Sequence, residues 1–198
     1  MENWKNREQR INFFEETLRI CERERELIQS IEKARERTVL WGDTYGKRDA
    51  PGRERQYTTH IVRSECSLLQ EVKNLKNVFP TSRIGIVHFG SPIHPGGSVI
   101  QGGDGLEEFL CRCTTLYPCL ATTFLRQQYY EKNRLCEEDQ YRNVGIYIPD
   151  VVCFREDSEE SRIMKQSDWF LVDVISCVPS QRELLGDKVP FVLCLNKI

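Results

Sequence analysis

A mixed α/β sheet with helices on both faces is the fold class this chain predicts, on three observations. Strand-like and helical apolar patterns alternate along the sequence. The β-branched run 83–89 opens directly into a Gly/Pro-dense segment, residues 90–105, and a helical pattern follows at once. With 198 residues, 39% hydrophobic and 29% charged, the chain has the size and composition of one globular domain, 1–198.

Taken in order, residues 7–33 place Ile11, Phe14, Leu18, Cys21 and Ile28 on one stripe, which predicts a single long amphipathic helix. Residues 42–57 combine Gly, Pro and charge and predict an exposed loop. Residues 1–57 thus form a helical extension, and 58–198 the α/β core. A short strand is expected at 58–62 and a helix at 64–77, with Leu68, Leu69, Val72 and Leu75 on its apolar face. The strand 83–89 comes next. After the glycine segment, Leu106, Phe109, Leu110, Cys113 and Tyr117 recur at helical spacing, and Pro118 is expected to interrupt before a helix carrying Leu120, Phe124, Leu125, Tyr129 and Tyr130. Segments 145–154 and 171–178 read as strands, and 189–195 as a terminal strand.

Composition narrows the function. Lys and Arg number 28 against 30 Asp and Glu, a net charge of -2, so direct nucleic-acid binding is not expected. The charged N-terminus and the lack of a long apolar run predict neither secretion nor membrane insertion. Nine scattered cysteines without zinc spacing fit a reducing compartment, the cytoplasm, or the nucleus in a eukaryote. Cys111 and Cys113 read as small buried hydrophobes, and His60, His88 and His94 are too dispersed for a ligand triplet, so no metal and no cofactor are expected.

The chemistry concentrates in HPGGSVIQGGDGLEEF, residues 94–109. Gly96, Gly97, Gly102 and Gly103 either supply positive φ to a long turn or let backbone amides approach a phosphate at a helix N-terminus. Asp104 and Glu107 match a capping box, which would make Glu107 structural. Glu108 lies off the apolar stripe and points either to solvent or into the loop. A diphosphate beside it would raise its pKa and the helix dipole would lower it; if the diphosphate prevails, its carboxyl serves as a general acid.

These residues resemble the signature of the bacterial-type poly(ADP-ribose) glycohydrolases, a macrodomain-related family with Gly-Gly-Gly, a short spacer and Gln-Glu-Glu. Here Gly96-Gly97-Ser98, seven residues and Leu106-Glu107-Glu108 keep the spacing. The resemblance extends through RINFFEETLRI, THIVRSECSLLQEVKNL, VHFGSPIHPGG, LYPCL, YYEKNR, VGIYIPDVVCFRED and VDVISCVP. It implies a macrodomain-like three-layer α/β/α sandwich with an added N-terminal helical region, and hydrolysis of ribosyl-ribose bonds in ADP-ribose polymers. By the same resemblance Glu108 is catalytic, acid and then base, and Glu107 holds the ribose hydroxyls. Gly96, Gly97, Ser98, Val99, His94 and Phe89 would contact substrate, and the implied partners are ADP-ribose, its polymer and ADP-ribosylated proteins.

The sequence departs from the family at Leu106 for Gln, Ser98 for Gly, His94 for Asn and Gly90 for Ala. Only Gly186 occurs after Gly145, so the family's second glycine loop has no counterpart and the domain reads as C-terminally shortened. That implies weaker ligand binding, self-association through an uncovered C-terminal edge, and an alternative function as a non-catalytic ADP-ribose-binding module.

Overall fold

The computed structural model describes residues 6–42, 62–136, 144–156, 161–178 and 191–195. Helices α1 (Arg7–Arg23) and α2 (Arg25–Glu36) lead into strand β1 (Val39–Gly42). Then come α3 (Leu68–Val78), β2 (Arg83–Phe89), the glycine loop with a 3-10 turn at Val99–Gln101, and α4 (Leu106–Cys113). The short helices α5 (Leu116–Leu120) and α6 (Thr123–Leu125) continue through a π-helical turn, Arg126–Tyr130, into α7 (Glu131–Arg134). Strands β3 (Val144–Cys153), β4 (Phe170–Cys177) and β5 (Phe191–Leu195) complete the order.

The five strands form one mixed sheet in the order β1-β3-β4-β2-β5. Among the described residues only the β2–β4 pair is parallel; β1–β3, β3–β4 and β2–β5 run antiparallel. Alternation along the strands puts Ile146, Ile148, Val172, Val174, Ile84 and Ile86 on one face, buried with Leu27, Ile31, Leu110 and Leu116 in a common apolar core. A bulge at Pro149 and Asp150, the latter with φ of 54°, keeps Val151 facing the same side as Ile148. The parallel pair is central for function, because it carries Phe89 and the chain beyond it to the edge of the site.

Several expectations are corrected. The long helix at 7–33 is two helices, broken at Glu24, whose extended backbone (ψ 115°) separates the buried stripe Phe14, Thr17, Cys21 from the stripe Leu27, Ile31, Ala34. Six residues separate Cys21 from Leu27, so a straight helix would turn Leu27 away from the core, and the break restores it. The N-terminal segment is also more than a helical extension, since β1 joins the sheet by pairing with β3. The helix expected from residue 64 begins at Leu68. Pro118 interrupts nothing, because it sits inside α5. The break falls earlier, at extended Thr114, which bridges Cys153 while its hydroxyl donates to Leu110 O and accepts from Leu116 N. Most of the strand expected at 58–62 and most of the loop at 42–57 lie outside the described residues; Val62 is exposed coil. The terminal strand is present as β5, on the sheet edge beside β2.

Candidate active site

Strand β2 delivers the chain to Gly90, and the loop that follows folds back over the first turn of α4. Gly96 and Gly97 have φ of 69° and 59°, a left-handed conformation that side chains with a Cβ adopt only at a cost. Space is the second constraint at Gly97. A Cβ there would lie 2.6 Å from Glu108 Oε1 and 3.2 Å from Glu107 Oε2, so both carboxylates press against the bare backbone.

The two glutamates hold different residues of the loop. Glu107, 5% exposed, turns beneath it: Ser91 N–H donates to its Oε2 at 2.6 Å and Gly96 N–H to its Oε1 at 3.1 Å. Burial pushes this carboxyl up to about 7, against the pull of the two amides. Glu108 turns toward the loop mouth, where Ser98 N–H and Oγ–H donate to its Oε1 at 2.9 and 2.8 Å. Its Oε2 has no hydrogen-bond partner among the described residues. The capping box is therefore not formed. The N-cap of α4 is Gly105, Asp104 is exposed, and Glu107 spends its oxygens on the loop because they reach the buried amides of Ser91 and Gly96.

The loop's own amides are engaged inside the chain. Gly97 N–H donates to His94 O, Val99 N–H to Gly96 O, Gln101 N–H and Gly103 N–H to Ser98 O, and Gly102 N–H to Val99 O. Together with the Gly96 and Ser98 amides on Glu107 and Glu108, these bonds engage the amides of the glycine loop itself, while the N-cap of α4 carries no side-chain cap bond. The loop is a holder of carboxylates in this conformation. Val99, expected at the substrate, is instead fully buried and anchors the loop in the core. Glu107, expected on ribose hydroxyls, is likewise turned inward by its two amide bonds. His94 is exposed on the rim, and Phe89 is partly exposed at the end of β2.

Residues that sequence patterning does not single out support this arrangement. Arg7 Nε donates to Gln101 O at 2.7 Å, Arg10 Nε to Gly102 O at 2.6 Å, and Arg112 Nη1 to Gly103 O at 2.5 Å, so three guanidinium groups gather three successive loop carbonyls. Asn133 Nδ2 and Arg134 Nη2 hold the carbonyls of Pro92 and Ile93. Under Gly90 lie buried His88 and Ser176, and a Cβ on Gly90 would meet Ser176 Oγ at 2.3 Å and His88 Cε1 at 3.0 Å. Glycine at that position, where the family resembled has Ala, follows from that crowding. Burial pushes the His88 imidazole down to about 4, so it is neutral at physiological pH. Cys111 and Cys113 are both fully buried, and burial pushes the Cys111 thiol well above its ordinary range. They pack as the small hydrophobes the sequence predicts.

An open mixed sheet, a glycine loop after its parallel pair and two adjacent glutamates at the start of the next helix define a macrodomain-like α/β protein with two carboxylates held against that loop. The description of the microbial-type poly(ADP-ribose) glycohydrolase catalytic domain matches residues 9–156, and the chain belongs to that family. No curated protein matches significantly. Among solved structures, poly(ADP-ribose) glycohydrolase from Thermomonospora curvata bound to the inhibitor ADP-HPD superposes with a TM-score of 0.72 at 22% identity, over 91% of this chain and 66% of that one. A second structure of the Thermomonospora curvata protein gives 0.74 at 22% identity, over 86% and 64%. Poly(ADP-ribose) glycohydrolase from Deinococcus radiodurans in complex with ADP-ribose gives 0.61 at 23% identity, over 75% and 56%. The chain thus spans slightly less than two thirds of the length of the Thermomonospora proteins and little over half that of the Deinococcus protein.

Proposed function

We propose that this chain hydrolyses the ribosyl-ribose bond of ADP-ribose polymers, with Glu108 acting first as acid and then as base. The observation that carries the reading is the state of the Glu108 carboxyl: one oxygen is fixed on the loop by Ser98, and the other has no protein partner among the described residues. Membership of the glycohydrolase family over residues 9–156 supports it.

Proton transfer from Glu108 Oε2 to the bridging oxygen accompanies cleavage of the anomeric carbon to oxygen bond, so the leaving ribose departs as an alcohol. Water then adds to the oxocarbenium-like sugar and gives its proton to the same carboxylate, which restores the acid. One residue thus performs work that most glycosidases divide between two carboxylates. Gly96, Gly97 and Ser98 contact the substrate beside Glu108, with Phe89 and His94 as further substrate contacts. ADP-ribosylated proteins are the corresponding macromolecular substrates.

Incubating the purified chain with labelled poly(ADP-ribose) tests this. Release of ADP-ribose that disappears in Glu108→Gln is the expected result. Calorimetric binding of ADP-ribose without release assigns the chain as a non-catalytic reader, and absence of both overturns the assignment to ADP-ribose.

A further inference from the structure

Ser98 spends both of its polar hydrogens on a single atom. Its N–H and its Oγ–H reach Glu108 Oε1 at 2.9 and 2.8 Å. Any residue at this position supplies the amide, but only a hydroxyl side chain supplies the second bond. The backbone of Ser98 is fixed independently of that bond, since its carbonyl accepts from Gln101 N–H at 2.9 Å and Gly103 N–H at 3.0 Å.

Three glycines make room for the contact. A Cβ on Gly103 would fall 2.0 Å from Ser98 Oγ, one on Gly97 2.6 Å from Glu108 Oε1, and one on Gly105 2.5 Å from Glu108 Oε2. The pocket for the carboxyl is therefore shaped by absent side chains and oriented by one present side chain. Two donors on the same oxygen also make the two carboxyl oxygens inequivalent. Oε1 is committed to the loop and Oε2 is left for other work.

We propose that Ser98 is a positioning residue that acts through Glu108: its hydroxyl fixes the rotation of the carboxyl so that Oε2 is the oxygen presented to the scissile bond. The proposal rests on the glycohydrolase reading above, and it identifies which side chain sets the acid's orientation. A carboxyl with a single amide donor swings about its terminal torsion, which is broad and nearly two-fold, so fewer bound complexes hold it in reacting geometry.

The test uses the full chain and three variants, Ser98→Ala, Ser98→Gly and Ser98→Thr. Steady-state hydrolysis of poly(ADP-ribose) is expected to lose about tenfold or more in kcat in Ser98→Ala and Ser98→Gly, with KM and ADP-ribose affinity within about twofold, because the ligand does not depend on the hydroxyl. Ser98→Thr, which keeps the hydroxyl, recovers most of the turnover. Unchanged kcat in Ser98→Ala, a loss confined to KM, or a loss in kcat that threonine does not restore overturns the proposal. Hydrogen exchange at the residue 98 amide supplies a second measure that needs no turnover. Slow exchange in wild type and Ser98→Thr, with faster exchange in Ser98→Ala and in Glu108→Ala, supports the clamp, and equal exchange in all four proteins overturns it. Wild type without turnover but with the slow-exchanging amide defeats the glycohydrolase reading and, with it, the catalytic role of Ser98, while leaving the clamp itself established.

Discussion

The backbone amide of Ser91 donates to Glu107 Oε2 across 2.6 Å, tying the end of the β2 connection to the first turn of α4 through a carboxyl that is almost wholly buried. Because burial raises this group from 4.5 to about 7, the folded chain holds a proton that the unfolded chain releases anywhere between those values. Stability contributed by that proton is complete below about pH 4.5 and is lost as pH rises through about 7, a change of about 3 kcal/mol at most. Urea unfolding at pH 5.5 and pH 8 is the measurement. A lower midpoint at pH 8 is expected, and a Glu107→Gln chain should lose most of the difference.

Substitution of Glu107 by Gln also has a cost of its own. A protonated carboxyl keeps a lone pair for each of the two amides, whereas the carboxamide NH2 cannot accept from either Ser91 or Gly96. One buried amide is left unpaired, which costs about 1 to 3 kcal/mol. The deficit should be larger at pH 5.5 than at pH 8, since wild type then loses the advantage of its proton. Equal deficits at both values would separate the loop bonds from the titration.

Gly97→Ala should damage the site without dismantling the sheet. Its φ of 59° disfavours alanine by about 1 to 2 kcal/mol, and the added methyl would stand 2.6 Å from Glu108 Oε1. A small fall in Tm together with loss of most hydrolytic turnover is expected; turnover equal to wild type would mean that the Glu108 carboxyl tolerates displacement.

At the opposite end of β2, Asp173 accepts from Arg83 Nε at 2.8 Å and Nη2 at 2.5 Å, from Tyr147 Oη at 2.9 Å and from Asp150 N–H at 3.1 Å. Arg83 Nη2 also meets Asp150, which pairs in turn with Arg37. Asp173→Ala leaves a partly buried guanidinium without its main partner and should cost about 3 kcal/mol. Thermal melting reads that loss. ADP-ribose affinity should be unchanged while the chain remains folded, because this network lies far along the strand from the glycine loop.

What was legible in the sequence follows from the range of the forces involved. The run 83–89 is a strand because its β-branched residues and alternation are local, and the structure forms β2 over those residues. The position of Glu108 beside the loop was also legible, because the spacing from Gly96 to Glu108 is fixed by the covalent chain. The break at Glu24 was not, since it depends on which faces of α1 and α2 meet the core. Nor was the exchange of a capping box for loop bonds at Glu107, because Ser91 lies sixteen residues away and only the closed loop brings its amide within reach. Arg112 illustrates the same limit: nothing local marks it, yet it is fully buried with its charge turned onto Gly103 O.

The three arginines on the loop carbonyls have a consequence in time as well as in space. Arg7 meets Gln101 across 94 positions of sequence and Arg10 meets Gly102 across 92. Contacts of such separation form late, after closure of a long loop. An emerging chain therefore carries α1 through the addition of the residues up to Gln101 and Gly102 before the segment it must clasp has been made. The pocket around Glu108 matures when that distant appointment is kept, so a chain whose first turn is loosened should reach a native-looking secondary structure well before it becomes competent.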